Sequence, residues 1–143
     1  MKKPKKKVKR KVSYKTEKRK LDDIFSKFIR WRAADADGNV QCVTCGKIAE
    51  VSKMQNGHFM SRKHHSIRWH AYGNCNPQCY GCNIGGKGLQ FQHYLYIDKK
   101  YGEGTSMRLL ERSTVKRKYY LEEIIQLRKH YKKKVDEYIN KHS

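Results

Sequence analysis

Four cysteines stand in two close pairs, Cys42-Val43-Thr44-Cys45 and Cys79-Tyr80-Gly81-Cys82, with 33 residues between them. Two residues between thiolates let both sulfurs of a turn face one ion at about 2.3 Å, and two such turns complete a tetrahedron. Gly46 follows the first pair and Gly81 lies inside the second, which suits tight turns. The expected chemistry is structural Zn²⁺ ligation by Cys42, Cys45, Cys79 and Cys82. With every position filled by protein, such an ion has no open site and does no chemistry itself. A redox role is the alternative, but two pairs in a chain without a thioredoxin-like pattern speak against it. Cys75 is left over and reads as a buried free thiol. An odd count of cysteines with no export signal argues against a disulfide scaffold.

Zinc alone does not explain what surrounds the pairs. The chain runs Gly57-His58-Phe59, then Arg68-Trp69, then Asn74-Cys75-Asn76-Pro77-Gln78-Cys79, with Asn83 directly after the second pair. A His upstream, an Asn five residues before a Cys-x-x-Cys and a His or Asn just after it is the pattern of the HNH endonucleases. The segment Cys42 to Gly102 most resembles their phage branch, the NinG (Rap) recombination nucleases. The resemblance implies a zinc-stabilised ββα-metal core in an α+β fold, and a metal-dependent nuclease for branched DNA such as Holliday junctions. It implies His58 as the general base, since a neutral imidazole accepts a proton at cellular pH. It implies Asn83 as a ligand for catalytic Mg²⁺ or Mn²⁺, hard cations that prefer oxygen, and Asn74 as the residue that holds the His58 segment. Many HNH enzymes carry an Asp just before the catalytic His. Here that place is Gly57, and Asn56 is the candidate for the second ligand.

Arg62, Arg68 and Lys87 flank these residues and are expected to grip phosphates. His64, His65 and His70 lie in a basic stretch and suit phosphate or solvent, whereas His93 reads as structural. Asn74 and Asn76 also read as turn residues before Pro77, and Asn83 as a helix cap. Tyr72, Tyr80, Phe91 and Tyr94 either stack on unpaired bases or pack in a core.

These groups need elements to position them. Residues 1–16 are strongly cationic and almost free of apolar side chains, and are expected to be a disordered tail. From residue 17 to 36 an apolar stripe of Leu21, Ile24, Phe25, Phe28 and Trp31 predicts a helix. Asp35 to Asn39 is a cluster of turn formers. Residues 40–102 hold the zinc-bound core, with irregular strands or a hairpin around His58, a tight basic turn from Asn74 to Gly88, and a helix over Phe91 to Ile97. Residues 105–142 form a C-terminal helical region whose last helix carries Ile124, Tyr131, Val135 and Tyr138 on one face. Residues 17–143 thus read as one domain, flanked by helices at both ends of its core.

The charge decides the partner. The 143 residues carry 34 Lys and Arg against 13 Asp and Glu, a formal net charge of +21. Twelve of the cations fall in the first twenty residues, beside Glu17 alone, yet the remainder is still strongly basic. A polyanion is the expected partner. No apolar run reaches the roughly 20 residues of a spanning helix, and a polybasic tail without a lipid anchor binds membranes weakly. The expected location is the cytoplasm, that of the host cell if the chain is phage-encoded. A symmetric junction would suit a homodimer, for which the C-terminal helix is a candidate interface. The competing class is a non-catalytic zinc-ribbon module that binds nucleic acid, and a weaker one is a ribosome- or RNA-associated protein. Charge and cysteines suit all three, but only the nuclease explains His58, Asn74 and Asn83 together.

Overall fold

A computed structural model describes residues 2–5 and 11–143. The first helix, α1, spans Tyr14–Arg32 and is capped by Ser13, whose hydroxyl accepts from the Thr16 amide at 3.4 Å. It therefore begins inside the segment expected to be a disordered tail. Lys15 and Lys18 do not prevent this, because Glu17 in the first turn pairs with Lys20 and with Arg128. The helix stops at Arg32, earlier than residue 36, where Asp35 folds back. The Asp35 carboxylate accepts from the amides of Asp37 and Asn39, both at 2.9 Å, and makes a plain turn. Residues 2–5 and 11–13 of the expected tail carry no helix or strand, and residues 1 and 6–10 lie outside the described residues.

Two short hairpins follow. Strands β1 (Asn39–Gln41) and β2 (Ile48–Glu50) pair antiparallel, and the turn between them carries Cys42 and Cys45. Strands β3 (Met54–His58) and β4 (Cys75–Cys79) pair antiparallel with Met54 opposite Cys79 and His58 opposite Cys75. The expected turn from Asn74 to Gly88 is thus a strand over Cys75–Cys79. Pro77 is tolerated there because each sheet has only two strands, so a residue without an N–H costs no ladder bond on the outer edge. Its carbonyl instead accepts from the Val43 amide at 3.0 Å and ties the second hairpin to the first. A wide π-type turn, Gly81–Gly85, leads to α2 (Gln90–Tyr101), α3 (Thr105–Ser113) and α4 (Leu121–Lys141). The architecture is α+β, mixed helices with small antiparallel sheets.

α1 and α4 lie side by side and run in the same direction. Tyr14 meets Tyr119, Glu17 meets Arg128, Phe28 meets Tyr131 and Tyr138, and Trp31 meets His142. The whole hairpin region between them serves as the crossover. Their shared core contains Leu21, Phe25, Phe28, Ile29, Ile124 and Val135, packed on Cys75 and Trp69. Each such side chain contributes about 1.5–3 kcal/mol of burial. The apolar face of α4 is consequently spent on α1. Smaller clusters lie under the cysteines and between α2 and α3, where Phe59, Ile97 and Leu109 meet. Among the described residues, no helix is long and apolar enough to cross a membrane.

Candidate functional site

The four paired cysteines converge. The Sγ atoms of Cys42, Cys45, Cys79 and Cys82 all lie within 4.8 Å of one another, and those of Cys45 and Cys79 are 3.7 Å apart. A tetrahedral zinc with 2.3 Å bonds requires sulfurs about 3.8 Å apart, so the donor set fits one structural Zn²⁺. Each turn is built for it. Gly46 takes φ +81°, and the chain closes through Gly46 N–H to Cys42 O at 3.0 Å and Cys42 N–H to Lys47 O at 2.8 Å. The Thr44 hydroxyl accepts from Gln78 Nε2 at 3.1 Å and so turns its own proton to Cys42 Sγ, 3.4 Å away. Burial pushes the Cys42 thiol up, but bonds from Thr44 and nearby amides outweigh it and bring it to about 6. The thiolate of Cys42 is thereby favoured, whereas Cys82, despite the Thr44 hydroxyl, is pushed up to about 12 by burial and the three neighbouring thiols. Cys75 stands apart, wholly buried against α1, with its thiol pushed up to about 12 by burial.

His58 closes β3. Its Nε2 lies 3.0 Å from the Arg68 carbonyl, which can only accept. The proton of the neutral ring is therefore on Nε2, and Nδ1 carries the free lone pair. Burial pushes His58 down to about 4, against the Arg68 bond that favours the charged form, so the ring is neutral at pH 7. Asn74 holds this geometry from beneath. Fully buried, it accepts from Met60 N–H at 2.8 Å and donates to the carbonyls of Met60 and Ile67 at 3.2 and 3.1 Å. It thus clamps both ends of the loop that presents Arg68 O to His58.

A groove of about 660 Å³ runs between α1 and β3. It is lined by His58, Asn56, Asn83, Arg62 and Lys87, and also by Asp22 and Asp23 of α1. Asn83 donates through Nδ2 to Gln55 Oε1 at 2.8 Å, which leaves its carbonyl oxygen for other use. Asn56 Oδ1 is buried with no hydrogen-bond partner among the described residues. Gly57 has a steric reason: a Cβ there would stand 2.0 Å from Oε1 of the buried Gln78. An Asp before His58 has no room.

The flanking cations divide. Arg62 and Lys87 line the groove, and Arg62 is well exposed, 3.8 Å from Asp22. Arg68, expected to grip phosphate, is instead committed to the protein. Its Nε and Nη2 bind the Asp22 carboxylate at 3.0 and 2.5 Å, and Nη1 donates to Arg62 O at 2.8 Å. Asp22 also accepts from Trp69 Nε1 at 2.9 Å. Asp22 thereby anchors the residue whose carbonyl orients His58. This role was not visible in the chain order, because 46 residues separate Asp22 from Arg68.

The remaining singled-out residues also resolve. His65 stacks on Trp69 and bonds Lys18 Nζ at 3.1 Å, while His64 and His70 are half-buried. His93 is structural: fully buried, its Nε2 accepts from Asn76 Nδ2 at 2.9 Å. Asn76 donates as well to Gly73 O at 2.7 Å. Tyr94 packs on Phe59, whereas Tyr72, Tyr80 and Phe91 are exposed.

Two neutral histidines, His93 fully buried and His58 half-buried, make stability depend on pH. Burial holds both His58 and His93 down at about 4, below the 6.5 or so of the unfolded chain. The unfolded state then binds more protons between those values, so stability is full above about pH 6.5 and falls as pH drops toward 4. The loss by pH 5 is on the order of 2 kcal/mol for each histidine. Urea midpoints should fall clearly between pH 7 and pH 5. A midpoint flat across that range would show that one or both rings are not buried neutral.

A family model described as NinG, Bacteriophage Lambda NinG protein, matches residues 1–141. The match extends well beyond the segment Cys42 to Gly102 on which the resemblance in the sequence rests. No curated protein and no solved structure matches the chain.

Proposed function

We propose that this chain, which belongs to the bacteriophage lambda NinG family, is a metal-dependent endonuclease that acts on branched DNA in phage recombination, with four-way junctions as its substrate type. The observation that carries the reading is His58: a neutral imidazole fixed by the Arg68 carbonyl, lining a groove that also holds Arg30, Lys53, Arg62 and Lys87. In this reading His58 Nδ1 takes a proton from water, whose oxygen attacks phosphorus as the bond to the 3′ oxygen breaks. Arg62 and Lys87 hold the non-bridging oxygens. Asn74 and Asp22 act as positioning residues, through Met60 and Arg68. The carbonyl oxygens of Asn83 and Asn56 suit Mg²⁺ or Mn²⁺, which would supply charge stabilisation for the phosphate and the leaving oxygen. The four-cysteine zinc is scaffold: it fixes Cys79 at the end of β4 and Cys82 beside Asn83.

The basic body and tail supply affinity. The test of the reading is incubation with labelled four-way junction, flap and linear duplex in Mg²⁺, Mn²⁺ or no divalent metal. Cutting of branched DNA with metal supports it. Binding without cutting leaves the non-catalytic zinc-ribbon reading in its place.

The tail gives a separate prediction. Deleting residues 2–12 removes eight Lys and Arg without touching α1. Each lost phosphate contact reduces the slope of log affinity against log salt by about 0.9. The truncated protein should therefore bind DNA with a slope shallower by several units and with unchanged zinc content. An unaltered slope would show that these residues do not meet phosphate.

A further inference from the structure

A second cavity, also about 660 Å³, opens on the far edge of the β3–β4 hairpin from the His58 groove. It is lined by Asn76 and Pro77 of β4, whereas the groove is lined by Asn56 of β3, the residue paired with Pro77. Three tyrosines, Tyr72, Tyr96 and Tyr101, and two cations, Arg32 and Lys100, form its wall, and no acidic residue does. The cations already sit at ring faces. Arg32 Cζ lies 5.8 Å from the Tyr72 centroid, and Lys100 Nζ lies 5.8 and 5.3 Å from those of Tyr96 and Tyr101.

Tyr96 and Tyr101 are partly buried against the Phe59 cluster, but core packing does not account for Tyr72 or the two cations. Tyr72 is 72% exposed, on a loop that has the buried Ala71 and Asn74 to anchor it. Arg32 is held by one hydrogen bond, Nη1 to Ala71 O at 2.6 Å, and by the Phe28 ring, 5.2 Å from Cζ, which leaves its other N–H groups for a ligand. Open aromatic faces beside uncompensated cations suit a ligand that is planar and anionic at once. A base stacks on tyrosine whatever its identity, and its phosphate meets the cation.

We propose that this cavity binds one unpaired nucleotide of a DNA strand, with the base against Tyr72 and the phosphate at Arg32 and Lys100. A paired base is held within its stack and cannot enter, so the site favours DNA with unpaired bases, as at flaps and the centres of branched junctions. The proposal rests on the nucleic-acid reading above but not on cleavage.

The test is fluorescence anisotropy without added divalent metal, on a paired duplex and on the same duplex bearing a short unpaired tail. A 2-aminopurine in the tail reports stacking. Wild-type protein should prefer the tailed duplex and quench the 2-aminopurine. Tyr72→Ala should lose roughly tenfold on tailed DNA, with quenching gone, and stay within about twofold on paired DNA. Lys100→Ala should weaken tailed binding in the same sense, and Tyr72→Phe should keep the wild-type preference because the ring face remains. Exposure of Tyr72 makes loss of fold an unexpected outcome, and an unchanged zinc content and melting midpoint confirm the variant is intact. Equal affinity of wild type for both duplexes, or an equal loss on both in Tyr72→Ala, overturns the site. Wild type that binds no DNA at all overturns the site and the nucleic-acid reading together. A tail preference that depends on Tyr72 in a protein that never cuts DNA upholds the site and removes only the nuclease.

Discussion

Changing Cys79 to serine is expected to release one zinc per chain and to unfold the hairpin region around it. The four thiolates converge within 4.8 Å of one another, and Cys42, Cys79 and Cys82 form most of the buried cluster that joins β1 to β4. The apolar part of that cluster is small: Val40 and Met54 are its only other buried members among the described residues. Zinc in four-ligand peptides contributes on the order of 10–16 kcal/mol of apparent binding, which in such sites is folding free energy. That matches or exceeds the roughly 5–15 kcal/mol by which whole domains are stable. The α1–α4 pair has its own core and should keep its helicity. Elemental analysis, with near-UV circular dichroism, checks the expectation. Cys75→Ala is the control: its buried thiol lies outside the cluster, so full zinc should remain. Soluble, folded protein with no zinc, or Cys79→Ser with its zinc intact, would contradict the site.

The cysteine cluster was legible because metal ligation is local twice over: each Cys-x-x-Cys sets its own turn, and the ion joins the two. The long helices were legible for a similar reason, since an apolar stripe repeats within a few residues. Their ends were less so. Ser13 as a cap and Asp35 as a turn moved α1 three to four residues along the chain from its expected range of 17–36. β4 was hidden, because Asn74, Asn76 and Pro77 carry the residue types of a turn. In the structure Asn74 and Asn76 spend their side chains on Met60, Ile67, Gly73 and His93. Pairing with β3 across sixteen intervening residues has no signature in the short range.

The site divides in the same way. His58, Asn74 and Asn83 could be singled out by order and spacing, and the structure brings His58 and Asn83 to one groove with Asn74 beneath it. Arg68 could not be told from a phosphate-binding arginine, because its partner Asp22 lies on α1, 46 residues away. The steric reason for Gly57, the side chain of Gln78 lying against it, is likewise visible only once β3 and β4 are paired.

The second large effect is expected at His58. His58→Ala should lower the rate of junction cleavage by about 10²–10⁴-fold, the usual worth of a general base. Zinc content and junction affinity should stay near wild type, because the phosphate contacts assigned to Arg62 and Lys87 remain. Asn83→Ala should also lose activity, partly restored by excess Mn²⁺, if its carbonyl holds the cation. His93→Ala is no control, since it would leave a cavity and strip Asn76 of its partner. His130, exposed on α4, is the better one.

The most direct measurement is single-turnover cleavage of a labelled four-way junction by wild type, His58→Ala and His130→Ala, in Mg²⁺ and in Mn²⁺, with junction affinity measured alongside. The predicted result is metal-dependent cutting by wild type and His130→Ala, and binding without cutting by His58→Ala. A wild-type protein that binds the junction tightly and leaves it whole in every divalent metal contradicts the nuclease.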